Sequence, residues 1–165
     1  MAARAWPETD PVDAIMAVME RAFDPAFGEA WNRRQVSDAL ILGTCRHMLI
    51  APDATIGESV YEAAGFYLAR SVIDEEELLL FAVAPEFRGC GLGTALLKQF
   101  ISSARARGIR RLFLEMRRNN TAASLYKKFG FRAIGERPSY YRGSGGRSLD
   151  AITYELVLRL NSNAV

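Results

Sequence analysis

Apolar positions recur along this chain with two different periods, and the period changes with position. Val12, Ile15, Met16, Met19 and Phe23 fall three or four apart, the spacing of one helical face. Asp10-Pro11 supplies an N-cap followed by proline in the first turn, and Pro25 stops the run. A shorter helix is predicted over 33–42, with Val36, Ala39 and Leu40 inward. From His47 the pattern becomes that of strands, at 48–51 and at 64–72 around Phe66, Leu68 and Val72. Asp74 to Glu77 is an acidic run expected to form a hairpin turn. Leu78-Leu79-Leu80-Phe81-Ala82-Val83 is apolar throughout, as expected of a strand buried on both faces.

The second half begins with an amphipathic helix over 94–107, with Ala95, Leu96, Phe100 and Ala104 inward and Gly108 as its stop. A strand over 111–115 alternates Leu112 and Leu114 against Phe113. Asn119 or Asn120 caps a further helix that runs to Phe129 and ends at Gly130. Strands at 131–134 and 150–158 flank a loop rich in Gly, Ser and Tyr, and the tail from Asn161 is expected to fray. With no internal repeat or linker, 1–165 reads as a single domain of mixed α/β (α+β) class.

Composition narrows the function. Half the residues are apolar and 24% are charged, which argues against disorder. The longest apolar stretch, 78–85, is far short of the ~20 residues that span a bilayer. Two cysteines, Cys45 and Cys90, fit free thiols in a reducing cytoplasm. One histidine, His47, excludes a His-rich metal site and argues against a Ser–His–Asp hydrolase, so no metal is expected. The net charge of +2 divides into −8 over 1–83 and +10 over 84–165. The basic half would attract a phosphorylated cofactor or RNA; the acidic half would suit an amine, or is a solvated surface.

Candidate chemistry concentrates between Val83 and Thr94, where a strand enters a turn that opens directly into a helix. Gly89, Gly91 and Gly93 leave the backbone bare, and helix N-terminal amides favour a phosphate. Arg88 can add a full positive charge. An ordinary glycine-containing turn is the alternative reading. Neither the P-loop pattern nor Gly-x-Gly-x-x-Gly is met.

Arg88-Gly89-Cys90-Gly91-Leu92-Gly93 resembles the Arg/Gln-x-x-Gly-x-Gly/Ala signature of the GNAT N-acetyltransferases. Downstream, Asn119-Asn120-Thr121-Ala122-Ala123-Ser124-Leu125-Tyr126-Lys127-Lys128-Phe129-Gly130-Phe131 is similar to that family's Asn-x-x-Ala-x-x-Leu-Tyr-x-x-x-Gly-Phe. The resemblance runs from about 66 to 158. It implies a mixed central sheet with splayed strands and flanking helices, and acetyl-CoA as cosubstrate. It places the pyrophosphate on Arg88, Gly89, Cys90, Gly91, Leu92, Gly93 and Thr94. Phe81, Ala82 and Val83 would hold the pantetheine arm where 80–83 splays from 112–115, with Asn119 and Tyr126 completing the donor site.

Within the family, Val72-Ile73-Asp74-Glu75, Leu114-Glu115-Met116-Arg117, Ser139-Tyr140-Tyr141 and Gly146-Arg147 with Asp150-Ala151 resemble the bacterial ribosomal-protein-alanine N-acetyltransferases (the RimI type). Those enzymes acetylate a protein's N-terminal α-amine. In that subgroup the glutamate usually stands five steps before the helix-capping asparagine, whereas Glu115 to Asn119 is four.

The resemblance casts Tyr126 as the acid that protonates the departing thiolate and the Val83 amide as oxyanion donor. Glu115 becomes the general base, or else a carboxylate paired with Arg117 or another arginine. Direct attack needs no acyl-enzyme, and Cys90 is expected to be a solvent-facing filler. Tyr140 and Tyr141 are expected to wall the acceptor channel from a loop, and His47 to be structural. The acceptor is then a protein N-terminus, or alternatively a small amine of polyamine or aminoglycoside-like kind. A purely RNA-binding reading lacks interleaved aromatic and basic residues.

Overall fold

The Asp10 carboxylate accepts the Val12 N–H at 2.7 Å, and Pro11 fills the first turn, so helix α1 runs Pro11–Ala22. A computed structural model describes residues 9–159 of the chain. Helix α2, Arg33–Ile41, opens on a reciprocal cap in which Asn32 and Gln35 each accept the other's backbone N–H at 2.9 Å. Strands β1 (Cys45–Ile50), β2 (Ile56–Gly57), β3 (Gly65–Val72) and β4 (Glu75–Val83) follow. Helix α3 (Leu92–Ala106), β5 (Arg111–Arg117), α4 (Ala123–Lys128), β6 (Arg132–Arg142) and β7 (Ser148–Val157) complete the order.

The strands form one sheet in the order β2-β1-β3-β4-β5-β7-β6, antiparallel except where β4 meets β5. One face is covered by α3 and α4, whose Leu96, Leu97, Phe100 and Tyr126 pack on Tyr67, Leu112 and Leu114. The other carries α1 and α2, whose Ile15, Val18, Met19 and Val36 pack on Leu49, Phe66, Leu68 and Leu80. This is the mixed, helix-flanked sheet expected from the sequence.

Several boundaries differ for physical reasons. The acidic run is not a turn: Ile73 and Asp74 turn the chain, and Glu75, Glu76 and Glu77 begin β4. Each finds an arginine on a neighbouring element, Glu75 with Arg111 (3.1 Å), Glu76 with Arg107 (2.5 Å) and Glu77 with Arg70 (2.7 Å). Nor is β4 buried on both faces; Leu78, Leu80 and Ala82 are buried while Leu79, Phe81 and Val83 are partly open. Helix α3 starts two residues before Thr94, β5 runs two beyond Glu115, and α4 is confined to six residues. Strand β6 extends through Tyr140 and Tyr141, which are strand residues and not loop residues, because β7 pairs with it past an irregularity between Arg137 and Tyr141. The tail from Asn161 lies outside the described residues.

Candidate active site

The site originates in a break in strand pairing. The β4–β5 ladder runs from Glu75 opposite Arg111 to Leu78 opposite Leu114 and stops there. On the other side of β4, Ala69 faces Leu78 and Leu68 faces Leu80, so Leu79 is an extra residue. Such a bulge bends its strand and increases the local twist. Beyond it β4 stays with β3, and β5 stays with β7 as far as Arg117. The strands therefore part between 79–83 and 115–117; residues 112–114, expected at the splay, remain paired. A cleft of about 770 Å³ opens in the gap.

Phe81 lines this cleft, whereas the Ala82 and Val83 side chains turn into the cores on the two sides of the sheet. Their backbone still matters. The Ala84 N–H bonds the Ala64 carbonyl at 2.8 Å, on the β3 side. Strand alternation then directs the Phe81 and Val83 N–H groups toward the gap left by β5.

After β4, Gly89 (φ 76°) and Gly91 (φ 84°) take left-handed conformations, and a Cβ on either would meet nothing within 4 Å. Gly91 caps α3 without a side-chain bond, so the Leu92, Gly93 and Thr94 N–H groups at the first turn have no partner within the helix. A Cβ on Gly93 would sit 3.7 Å from Leu125 and Val83, an ordinary contact. Arg88 keeps its positive charge while its Nε donates to the Val83 carbonyl (2.9 Å) and Nη2 to the Ala22 carbonyl (3.1 Å). It ties the turn to α1 and lines the cleft. Cys90 is exposed.

Tyr126, from α4, is 5% exposed and lines the cleft. Its ring sits edge-on between Phe81 (5.9 Å) and Phe131 (5.8 Å). Burial pushes the phenol's pKa upward, so it holds its proton throughout the neutral range. Glu115, on β5, lines the same cleft; its Oε1 accepts a hydrogen bond from Thr153 Oγ1 at 3.1 Å and forms an ion pair with Arg137 Nε at 3.1 Å. Asn119 is exposed in a left-handed conformation (φ 68°) and does not line the cleft. Asn120, five steps from Glu115, does both jobs: it lines the cleft and its Oδ1 accepts the Ala122 N–H at 2.9 Å ahead of α4.

The opposite wall comes from the segment between α1 and α2 and from the end of β6. Arg117 pairs not with Glu115 but with Glu29 at 3.4 Å, and its guanidinium lies 3.8 Å from the centre of the Phe27 ring. Burial raises the pKa of Glu29 and outweighs the opposing effect of Arg117. Tyr140 and Tyr141 line the cleft with their rings edge-on at 5.1 Å. Burial, then Glu29, Glu115 and Tyr140, push Tyr141 up to about 12 against Arg117. The sequence offers Asn120 only as a helix cap and Arg117 only as a partner for Glu115, and it gives Phe27 and Glu29 no stated role; the signal for these two is a Pro- and Gly-interrupted stretch ahead of Asn32. His47 bonds the Glu58 carbonyl at 2.9 Å, in keeping with a structural role. Among the described residues, no group of three or more His, Cys, Asp or Glu side chains could hold a metal ion, and no helix is long and apolar enough to cross a membrane.

Comparison with known proteins adds to this geometry. The chain is 40% identical over 84 residues to the ribosomal protein bS18-alanine N-acetyltransferase of Haemophilus influenzae, covering 50% of this chain and 58% of that protein. It is 39% identical over 98 residues to the enzyme of the same name from Escherichia coli strain K12, covering 59% of this chain and 66% of that protein. The matched segments thus span about three fifths of these relatives. The crystal structure of the ribosomal-protein-S18-alanine N-acetyltransferase from Escherichia coli superposes with a TM-score of 0.74 at 28% identity, over 94% of this chain and 92% of that one. The acetyltransferase (GNAT) domain model matches residues 44–133, which hold β1 to β5, the glycine turn and Tyr126, and on that match the chain belongs to the GNAT acetyltransferase family.

Proposed function

We propose that this protein transfers the acetyl group of acetyl-CoA directly to the N-terminal α-amine of a protein, an alanine-started chain of the ribosomal-protein type. The observation that carries the reading is the parting of β4 and β5 beyond Leu78 and Leu114, with Tyr126 and Glu115 lining one cleft. The glycine turn and the first amides of α3 would take the pyrophosphate. The pantetheine arm would bond the Phe81 and Val83 backbone in place of the missing strand.

The amine nitrogen attacks the thioester carbon, with the Val83 N–H facing the developing oxyanion. An α-amine has a pKa of about 7.7–8.0, against about 10.4 for lysine, so a useful fraction is neutral at physiological pH. As the C–N bond forms, Glu115 takes the amine's surplus proton. As the C–S bond breaks, Tyr126 gives its proton to the sulfur, and solvent restores both groups. Both cysteines are unpaired, and an acetyl-CoA-dependent reaction with free thiols fits the cytoplasm.

The test is thiol release from acetyl-CoA with alanine-started peptides beside a panel of polyamines and aminoglycosides, with mass spectrometry locating the acetyl group. Acetyl on the peptide α-amine is the expected result. Turnover confined to the small amines would overturn the protein acceptor and leave the acetyltransferase.

A further inference from the structure

Glu115 is held from the side away from the glycine turn. It shares one row of the sheet with Thr153 on β7 and Gly135 on β6, since Glu115 pairs with Thr153 and Thr153 with Gly135. Gly135 presents no side chain, and a Cβ there would come within 4.0 Å of Thr153. Residues two apart share a face of a strand, so Arg137 stands beside this open lane and reaches along it to Glu115. Its guanidinium also lies 5.4 Å from the centre of the Tyr140 ring. Beyond Arg137 the β6–β7 register is irregular, with Pro138 and a left-handed Ser139 (φ 55°) whose N–H bonds Asp150 at 2.9 Å.

Two features separate this arginine from an ordinary surface ion pair. First, the Arg137 Nε ion pair and the Thr153 Oγ1 hydrogen bond, both at 3.1 Å, fall on the same oxygen of Glu115, Oε1, and among the described residues Oε2 accepts no hydrogen bond. Second, Arg137 does not line the main cleft; with Glu115 and Thr153 it borders a smaller cavity of about 230 Å³. It therefore reaches the cleft through the carboxylate and, beside it, through the Tyr140 ring.

We propose that Arg137 is a positioning residue for acetyl transfer: with Thr153 it fixes Oε1 of Glu115 and leaves Oε2 to receive the acceptor's proton. The proposal rests on Glu115 being the base. A flexible carboxylate would sample many rotamers, and misplacing a catalytic group by about 1 Å costs up to about 100-fold in rate.

The test is a steady-state cycle with Arg137→Ala, Arg137→Lys, Glu115→Ala and the Arg137→Ala/Glu115→Ala double variant, measured with an alanine-started peptide and acetyl-CoA. Arg137→Ala is expected to lower kcat by about 10–100-fold and to leave both KM values within about twofold. Arg137→Lys should recover part of the loss, because it keeps the charge without the planar fork. In the Glu115→Ala background, Arg137→Ala should change kcat by less than about twofold, since effects of residues that act as a unit do not add. A rise in peptide KM that persists without Glu115 would make Arg137 an acceptor contact and overturn the proposal. An unchanged kcat in Arg137→Ala, with Glu115→Ala impaired, would overturn it while sparing the base. Near-normal turnover in Glu115→Ala would overturn the base assignment itself. Should Arg137→Ala fail to fold, Arg137→Met keeps the packed stem and removes the charge.

Discussion

Replacing Tyr126 with phenylalanine isolates one atom of the proposed chemistry. The ring is fixed by edge contacts to Phe81 at 5.9 Å and Phe131 at 5.8 Å, and phenylalanine keeps both. The backbone anchors are unaffected, since the Tyr126 carbonyl accepts from the Phe129 and Phe131 N–H groups at 3.1 Å. What disappears is a hydroxyl that makes no hydrogen bond among the described residues, so stability should change by less than about 1 kcal/mol. A lost general acid, by contrast, costs about 10²–10⁴-fold in rate, or about 2.7–5.4 kcal/mol at 1.36 kcal/mol per decade. Chemistry and folding are thus separated by several kcal/mol at one residue. The assay is single-turnover thiol release at saturating acetyl-CoA, with calorimetric binding of acetyl-CoA and a thermal melt as controls. The expected result is a rate lowered at least 100-fold, with melt and affinity preserved. A loss below about threefold in the chemical step would reduce Tyr126 to a packing residue and send the proton to the thiolate from water.

Two further expectations follow from named geometry. Gly91→Asp forces a side chain into a left-handed position at the open N-terminus of α3 and should cut acetyl-CoA affinity at least tenfold by calorimetry, whereas Gly93→Ala, whose Cβ meets only ordinary contacts at 3.7 Å, should retain binding; equal affinities for the two would remove the phosphate from this turn. Burial holds Tyr67 and Tyr141 at about 12 and Tyr126 higher still, against about 10 unfolded, so their contribution to stability is complete below about pH 10 and is lost as pH rises through about 12; urea midpoints should fall between about pH 9 and about pH 11, and less steeply in Tyr126→Phe.

Most of this architecture was legible in the chain because local signals and tertiary demands coincide. The Asp10-Pro11 start of α1 and the glycine turn before α3 are short-range chemistry, and they form where the pattern puts them. What was misread depends on partners distant in sequence. Glu75, Glu76 and Glu77 look like a turn until Arg111, Arg107 and Arg70 are brought beside them. Tyr140 and Tyr141 look like loop residues until β7 offers β6 an edge that accommodates Pro138 and Ser139. That Arg88 also ties the glycine turn to the Ala22 carbonyl at the end of α1 is likewise invisible in the chain. Glu29 carried only the faint signal of its Pro- and Gly-interrupted stretch, since its partner Arg117 stands 88 positions away.

Distant pairing also ties the acidic half of the chain to the basic half. Glu75 with Arg111, Glu76 with Arg107, Glu29 with Arg117 and Arg21 with Glu86 each join one half to the other. The exposed pairs among them, Glu75–Arg111 and Arg21–Glu86, contribute about 0–1 kcal/mol each and do not hold the fold. Their placement is more informative. Two of them sit where β4 and β5 are still hydrogen-bonded, and Glu76, buried with its charge matched by Arg107, is the one whose loss of partner would cost about 3–5 kcal/mol. Glu29–Arg117 lies where those strands have already parted, across the cleft from the glycine turn's side. Opposite charges from the two halves therefore clamp the closed end of the seam and bridge its open end. The gap between them holds Tyr126 and Glu115, the two side chains that the proposed acetyl transfer uses.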